Sequence, residues 1–156
     1  MSWSYKELWA NKVQRVFIIL SVLLAVGCSV TQPHKNDLFG FYKVLANEVA
    51  RSSVVENREK YFSDSYLSEV AVDDEKSTFV LEIPGQLNKV ISHYQVVTSD
   101  VGCLTLNGLD IEGYPATLSV EYIFKNGYWL VNYMFLEFLE EQSSFKTEAV
   151  CPRDMG

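Results

Sequence analysis

The chain has 156 residues, of which 48% are hydrophobic and 21% are charged, a composition typical of one globular domain and not of a disordered segment. The formal net charge is −7, and because the residues before Cys28 carry a net +2, the chain from Cys28 onward carries −9. A domain this acidic is repelled by phosphate groups, so we expect no nucleic-acid partner and no polybasic membrane-binding patch.

The N-terminal segment has the pattern of an export signal. Residues 1–15 are polar, with three basic side chains and one acidic one, and residues 16–27 form a run of 12 residues without a charge. A helix of that length spans about 18 Å, whereas the hydrocarbon core of a bilayer is about 30 Å thick. The run is therefore too short for a stable transmembrane helix and suits the apolar core of a signal peptide.

The apolar run ends in Leu24-Ala25-Val26-Gly27-Cys28, which resembles the lipobox of bacterial lipoproteins. That motif has an aliphatic residue, a small residue, then Gly or Ala before the cysteine, and here Ala25 departs from it because Leu is usual at that place. The resemblance implies that residues 1–27 are removed, that the Cys28 thiol takes a diacylglyceryl group and that the new amine receives a further fatty acid such as palmitate. The alternative is an uncleaved signal anchor in which Cys28 is a buried structural residue.

The resemblance also implies a location and a membrane partner. In the enterobacterial pattern an Asp after the cysteine retains a lipoprotein in the inner membrane, and this chain has Ser29 there. We therefore expect attachment to the cell envelope through lipid on Cys28, at the periplasmic face of the outer membrane. Residues 28–35 would form a lipidated tether, and residues 36–156 would form a single domain.

Two cysteines remain after Cys28. An oxidising periplasm favours a structural disulfide between Cys103 and Cys151. Such a bond closes a loop of roughly 50 residues and adds about 3–4 kcal/mol of stability on the chain-entropy model. Two free thiols and a redox pair are the alternatives, although the chain has no Cys-x-x-Cys motif.

Helices are predicted in the first part of the domain. Asn36 or Asp37 can cap a helix that runs to about Ser52, and a second, shorter helix is predicted over 55–62. The first helix carries one apolar stripe at helical spacing, formed by Leu38, Phe41, Tyr42, Leu45 and Val49.

Strands are predicted in the second part. Residues 89–98 and 101–106 are rich in β-branched side chains, and Ser99-Asp100 can form the turn between them. The chain can turn next at Asn107-Gly108 or at Glu112-Gly113.

The strongest local prediction is a hairpin over 115–139, because Asn126-Gly127 is the favoured pair for a two-residue type I′ turn. Regular pairing from that turn predicts an apolar face of Phe124 with Trp129, Tyr122 with Val131, Val120 with Tyr133 and Leu118 with Phe135. It predicts a mixed opposite face of Glu121 with Asn132, Ser119 with Met134 and Ile123 with Leu130. The apolar face needs a cover, which the helices can supply.

Helices followed by antiparallel strands predict an α+β domain in which N-terminal helices pack on one side of a curved antiparallel sheet. Two segments resemble the nuclear transport factor two-like superfamily, also called cystatin-like: the helix exit Tyr61-Phe62-Ser63-Asp64-Ser65-Tyr66-Leu67 and the hairpin from Tyr122 to Val131. The resemblance implies a sheet curled into a cone that often holds a pocket. Some members are isomerases or hydratases and many only bind, so the fold does not choose the function.

Few residues are candidates for metal binding or catalysis. His34 lies in the tether, and His93 lies in a predicted strand without a second ligand at zinc spacing. The acidic run Asp73-Asp74-Glu75 lacks the alternating oxygen ligands of a calcium loop. We therefore expect no metal and no cofactor. A nucleophile pair of Cys103 and His93 is conceivable, but the disulfide explains Cys103 more economically.

A pocket on the mixed face of the sheet is the other candidate. Glu121, Tyr122, Asn132 and Met134 are its predicted lining. An isomerase would need a carboxylate base and a tyrosine donor in an apolar site, and the available residue types are Glu121, Tyr122, Asp110, Tyr94 and Tyr133. A charged group on a sheet face is more often at a solvated edge, which argues against catalysis.

Three functions fit these observations. The preferred one is a non-enzymatic, lipid-anchored periplasmic domain that binds an envelope protein or a small apolar ligand. The second is a pocket enzyme of the isomerase or hydratase type. The third is a periplasmic immunity protein whose acidity suits a basic toxin.

Overall fold

The computed structural model describes residues 35–51, 54–70 and 75–155. The predicted signal peptide over 1–27, the lipidation site Cys28, the tether before Lys35 and His34 lie outside the described residues, as do Asp73 and Asp74.

The first described helix, α1, runs over Leu38–Ala50. Its N-cap is Asp37, whose carboxylate accepts a hydrogen bond from the Gly40 amide over 2.8 Å. Leu38, Tyr42 and Leu45 of the predicted stripe are buried, while Phe41 and Val49 are partly buried against the same core. The predicted helix, its cap and its core-facing stripe are therefore confirmed.

Three shorter helices follow among the described residues. Helix α2 covers Arg58–Tyr61, α3 covers Asp64–Val70, and α4 covers Glu75–Glu82 and leads into a 3₁₀ turn over Ile83–Gly85. The helix predicted over 55–62 is thus only one turn long. No helix within the described ranges is long and apolar enough to cross a membrane.

In the part of the chain that the structure describes, four strands form one antiparallel sheet in the order β1-β2-β3-β4. Strand β1 covers Lys89–Val97, β2 covers Val101–Leu109, β3 covers Pro115–Lys125 and β4 covers Tyr128–Phe138. The chain is therefore an α+β domain with an antiparallel sheet, as predicted. Phe62 adds a short parallel bridge to Val131 at the outer edge of β4.

The turns between the strands follow the local sequence. Asn126 and Gly127 have φ angles of 54° and 88°, the left-handed pair that a type I′ turn requires. Of the two turns considered after β2, Asn107-Gly108 lies inside the strand, and the chain turns at Gly113, where φ is 90°. Asp110 stabilises this turn because its carboxylate accepts hydrogen bonds from the amides of residues 112 and 114.

The register of the hairpin is only partly as predicted. Phe124 pairs with Trp129 and Tyr122 with Val131, but a β-bulge at Asn132 then shifts every later pair by one residue. The predicted pairs of Val120 with Tyr133, Leu118 with Phe135, Glu121 with Asn132 and Ser119 with Met134 are therefore wrong. The observed pairs are Val120 with Met134, Leu118 with Leu136, Glu121 with Tyr133 and Ser119 with Phe135.

The bulge determines which side chains of β4 lie on each of the two faces of the sheet. The helix face is apolar and packs against the helices through Leu104, Leu106, Leu118, Val120, Tyr122, Trp129, Val131 and Met134. The other face, here called the tail face, carries the buried polar row Thr105, Asn107, Thr117, Ser119 and Glu121. The C-terminal segment 139–155 covers part of the tail face, because Val150 and Lys146 hydrogen-bond to Thr105 and Asn107.

Candidate functional site

The predicted pocket residues divide between the two faces. Tyr122 and Met134 belong to the apolar core on the helix face. Glu121 lies on the tail face, two residues from Ser119 along β3, and Asn132 reaches it from the bulge. The structure therefore brings Glu121 and Asn132 together and separates both from Tyr122 and Met134.

A polar cluster surrounds the amide of Asn132. Asn132 Nδ2 donates to Glu121 Oε1 over 2.7 Å, while Asn132 Oδ1 accepts from the hydroxyls of Ser63 and Ser65, each at 2.9 Å. Ser63 also caps the first turn of α3 by accepting from the Tyr66 amide at 3.1 Å. We call Ser63, Ser65, Glu121, Asn132 and Arg153 the Asn132 cluster.

Arg153 completes the Asn132 cluster from the C-terminal segment. Its Nε lies 3.4 Å from Glu121 Oε1, and its guanidinium carbon lies 5.4 Å from the centroid of the Tyr133 ring. The Glu121 side chain is only 11% exposed, whereas that of Arg153 is 48% exposed. A nearly buried carboxylate is thus paired with a cation that reaches it from the surface.

The disulfide explains how Arg153 reaches this place. Cys103 and Cys151 are bonded, and Cys103 lies directly opposite Glu121 on the neighbouring strand. The bond holds the chain against the tail face two residues before Arg153, and a 3₁₀ turn over Pro152–Met155 follows. The predicted disulfide is confirmed, and it positions the residue that neutralises Glu121.

The contacts of the Asn132 cluster do not fit a site for proton transfer. A general base must be free to accept a proton from a substrate, but Glu121 Oε1 is engaged by Asn132 and Arg153. The serine hydroxyls point at an amide oxygen, which cannot activate them as nucleophiles because it is a weak base. The arrangement fixes the edge of β4 to α3 and presents Arg153 at the surface.

The other predicted candidates do not assemble. His93 stacks on Phe39 with ring centroids 3.9 Å apart on the helix face, whereas Cys103 is disulfide-bonded on the tail face, so the pair considered as a nucleophile and base is separated. Asp110 is used by the β2–β3 turn. Within the described ranges, no three side chains of His, Cys, Asp or Glu converge as metal ligands would.

Three tyrosines are buried between the helices and the sheet. Burial raises the pKa of Tyr42 to about 12, and its hydroxyl donates to the Pro84 carbonyl oxygen over 2.9 Å. Burial likewise raises the pKa values of Tyr66 and Tyr122. The Tyr122 hydroxyl is buried, and within the described part of the chain it has no hydrogen-bond partner.

Three members of the Asn132 cluster are not indicated as site residues by the sequence. Ser63 and Ser65 stand out there only as part of a helix-exit motif, and Arg153 belongs to no motif. The predicted disulfide is the one signal for Arg153, because a residue two positions after a bonded cysteine must lie near that cysteine's partner. The sequence does pair Asn132 with its true neighbour, Glu121, although by a register that the bulge changes.

Comparison with known proteins gives no further information on function. No family model, no curated protein and no solved structure matches this chain. The function must therefore be inferred from the residues of the chain and their contacts.

Proposed function

We propose that this protein is a lipid-anchored periplasmic lipoprotein of the bacterial cell envelope whose domain binds a partner and does not catalyse a reaction. The anchor is lipid on Cys28 after removal of residues 1–27, and Ser29 favours the outer membrane. The single observation that carries the proposal is the pairing of a Gly27-Cys28 lipobox with a disulfide-bonded domain.

The disulfide supports export. Structural disulfides persist in oxidising compartments such as the periplasm and are rare in the cytosol. The Cys103–Cys151 bond fastens the C-terminal segment to the sheet, so the domain uses the bond structurally. A chain kept in the reducing cytosol would not retain it.

The Asn132 cluster supports a binding role over a pocket enzyme. The carboxylate of the predicted pocket, Glu121, is held by Asn132 and Arg153 through its Oε1 atom.

We further infer a nuclear transport factor two-like cone. The helices lie on one face of the sheet, and two bulges, at Ile91 and Asn132, can curve it because bulges bend strands. Among the described residues, the buried Tyr122 hydroxyl has no hydrogen-bond partner. A ligand in such a cone could supply that partner, which favours a small, mostly apolar ligand with one polar group.

The anchor is tested by metabolic labelling. Cells that express the full chain are grown with radioactive palmitate, and the Cys28→Ser variant is compared with a matched Ser29→Ala variant. We expect label in the wild type and in Ser29→Ala, and an unlabelled, unprocessed precursor for Cys28→Ser. If the wild type stays unlabelled and Cys28→Ser changes neither its size nor its membrane fraction, the lipoprotein proposal is wrong.

The binding role is tested separately from the anchor. Envelopes are crosslinked and the lipidated protein is recovered, while native mass spectrometry of the purified domain reports any retained small molecule. We expect one recurring partner or one retained ligand. A chemical activity that Glu121→Gln abolishes without unfolding the domain would instead favour the isomerase or hydratase alternative.

A further inference from the structure

The chain enters the domain at one particular end of the sheet. Trp129 Nε1 donates to the Lys35 carbonyl oxygen over 2.7 Å, and Lys35 Nζ lies 4.1 Å from the centroid of the Phe124 ring. Lys35 Nζ also lies 3.9 Å from a carboxylate oxygen of Asp100 in the β1–β2 turn. In an antiparallel meander this turn and the Asn126-Gly127 turn lie at the same end, which we call the turn end.

At the turn end the tail face carries exposed apolar side chains. Val96 lies opposite Cys103 and is 47% exposed, and Val101, which is 40% exposed, lies opposite Ile123. Tyr128, beside the turn on the same face, is 57% exposed. With the half-buried Ile123 and Leu130, these residues form a continuous surface that we call the apolar patch, consisting of Val96, Val101, Ile123, Leu130 and Tyr128.

The two ends of the sheet differ in charge. At the turn end the charges are matched, because Lys35 pairs with Asp100 and Lys125 pairs with Asp64 at 3.0 Å. The opposite end, at the β2–β3 turn and after β4, carries an excess of negative charge, because the one basic residue Lys89, opposite Leu109, stands against four acidic residues, Asp110, Glu112, Glu140 and Glu141. An anionic membrane surface would repel that acidic end and would not repel the turn end.

The length of chain before the domain limits where the turn end can be. Seven residue steps separate Cys28 from Lys35, and a fully extended chain of that length reaches at most about 25 Å. This limit rests on the proposed function, in which Cys28 carries the lipid. The turn end must then stay within that distance of the membrane surface, since Lys35 is fixed to it by Trp129.

From these observations we propose that the apolar patch docks on the lipid surface of the anchoring membrane, with the acidic end turned away from it. Tyr128 has the character of an interfacial anchor, because tyrosine rings favour the headgroup level. Val96 and Val101 supply aliphatic contact next to it. Because the contact is apolar and the local charges are paired, docking should persist at high salt, where an electrostatic attachment would be lost.

The experiment uses the lipidated mature protein, residues 28–156, in vesicles of phosphatidylethanolamine with brominated acyl chains. Tyr128→Trp reports on the apolar patch, and Phe138→Trp is its control because Phe138 is 60% exposed at the opposite end of β4. Trp129 is present in both proteins and contributes the same background. We expect a blue shift and bromine quenching of the added fluorescence for Tyr128→Trp, at low and at high salt, and neither effect for Phe138→Trp.

A second pair of variants tests the patch itself in the Tyr128→Trp protein. Val101→Asp places a charge inside the apolar patch and should abolish the quenching. Ile111→Asp is the control, because Ile111 is 86% exposed in the β2–β3 turn at the acidic end, and it should leave the quenching unchanged. Retained quenching in Val101→Asp would overturn the assignment of the patch.

The outcomes separate docking from anchoring. If the protein floats with the vesicles but neither added tryptophan is quenched, docking is overturned while the lipid anchor stands. Equal quenching of the two would overturn the proposed orientation. If the wild-type protein does not float, the anchor fails and docking is overturned with it. If a photo-crosslinker at residue 128 captures one discrete protein in cells, the apolar patch binds a protein and the proposed docking on lipid is overturned.

Discussion

The amide of Asn132 joins three parts of the chain. It donates to Glu121 on β3 and accepts from Ser63 and Ser65 at the start of α3. An amide offers both donors and an acceptor, so one side chain can satisfy a carboxylate and two hydroxyls at once. Removing it would leave Glu121, among the described residues, with the partly exposed Arg153 as its remaining side-chain partner.

We therefore expect Asn132→Ala to lower the free energy of unfolding by about 1–3 kcal/mol, the cost of leaving buried polar groups unsatisfied. Urea denaturation followed by circular dichroism measures this change. The control is Asn88→Ala at an exposed position, which should cost less than about 0.5 kcal/mol. Equal stability of the two variants would contradict the importance of the Asn132 cluster.

At the scale of the element, β4 shows what local sequence determines and what it does not. Asn126-Gly127 specifies the turn and the first pairs, Phe124 with Trp129 and Tyr122 with Val131, because turn geometry fixes the register next to it. Beyond Asn132 the residues are apolar at both odd and even positions, so alternation alone does not reveal an inserted residue. The bulge is identified only when β4 is packed against the helices.

The disulfide can be predicted from the sequence, whereas the path of the C-terminal segment cannot. The count of cysteines and the expected compartment predict the bond between Cys103 and Cys151, and α1 follows from its cap and stripe. The covering of the tail face is not predictable in this way, because it depends on contacts from residue 146 to Asn107 and from residue 150 to Thr105 across the fold. The place of Arg153 in the Asn132 cluster depends on the same long-range contacts, so no local pattern indicates it.

Deleting Asn132 tests the role of the bulge in β4. Without the extra residue, Val131 is followed directly by Tyr133, so the observed pairs of Val120 with Met134 and Leu118 with Leu136 can form in a regular ladder that keeps Met134 and Leu136 on the helix face. We expect the deletion variant to retain a cooperative thermal transition and to lose about as much stability as Asn132→Ala, about 1–3 kcal/mol, because both variants lose the hydrogen bonds of the Asn132 amide. A deletion variant without a cooperative transition would show that the hairpin needs the bend of the bulge to pack against the helices.

At the scale of the whole molecule, the buried tyrosines should make the folded state less stable as the pH rises above 10. The folded state raises the pKa of Tyr42 to about 12 and also raises those of Tyr66 and Tyr122. An unfolded tyrosine loses its proton near pH 10 while the folded one keeps it, so the folded state binds more protons and stability falls as pH rises. Between pH 10 and its folded-state pKa, each such tyrosine lowers the free energy of unfolding by about 1.4 kcal/mol per pH unit.

Tyr122→Phe isolates one part of this loss. Its hydroxyl has no partner within the described residues, so the substitution should leave stability at pH 7 unchanged or increase it. Above pH 10 the variant should lose stability less steeply than the wild type. Urea titrations at several pH values measure both effects, and Tyr128→Phe at an exposed site is the control. Strong destabilisation at pH 7 would indicate that the hydroxyl has a partner, such as a bound ligand.

The Cys103–Cys151 bond couples the C-terminal segment to the sheet, and a double-mutant cycle can measure this coupling. Replacing both cysteines by Ser reopens a loop with a sequence separation of 48 residues, which should cost about 4 kcal/mol on the chain-entropy model. With the bond intact, Arg153→Ala should cost about 0.5–1 kcal/mol, because its side chain is half exposed.

Without the bond, the segment that carries Arg153 is held to the tail face mainly by the hydrogen bonds of residues 146 and 150. Arg153→Ala should then cost almost nothing, so the two changes should combine to less than their sum. Urea denaturation of the four proteins gives the coupling energy directly. Strict additivity would mean that Arg153 reaches Glu121 without help from the disulfide, and the bond would then stabilise the domain only by shortening its unfolded chain.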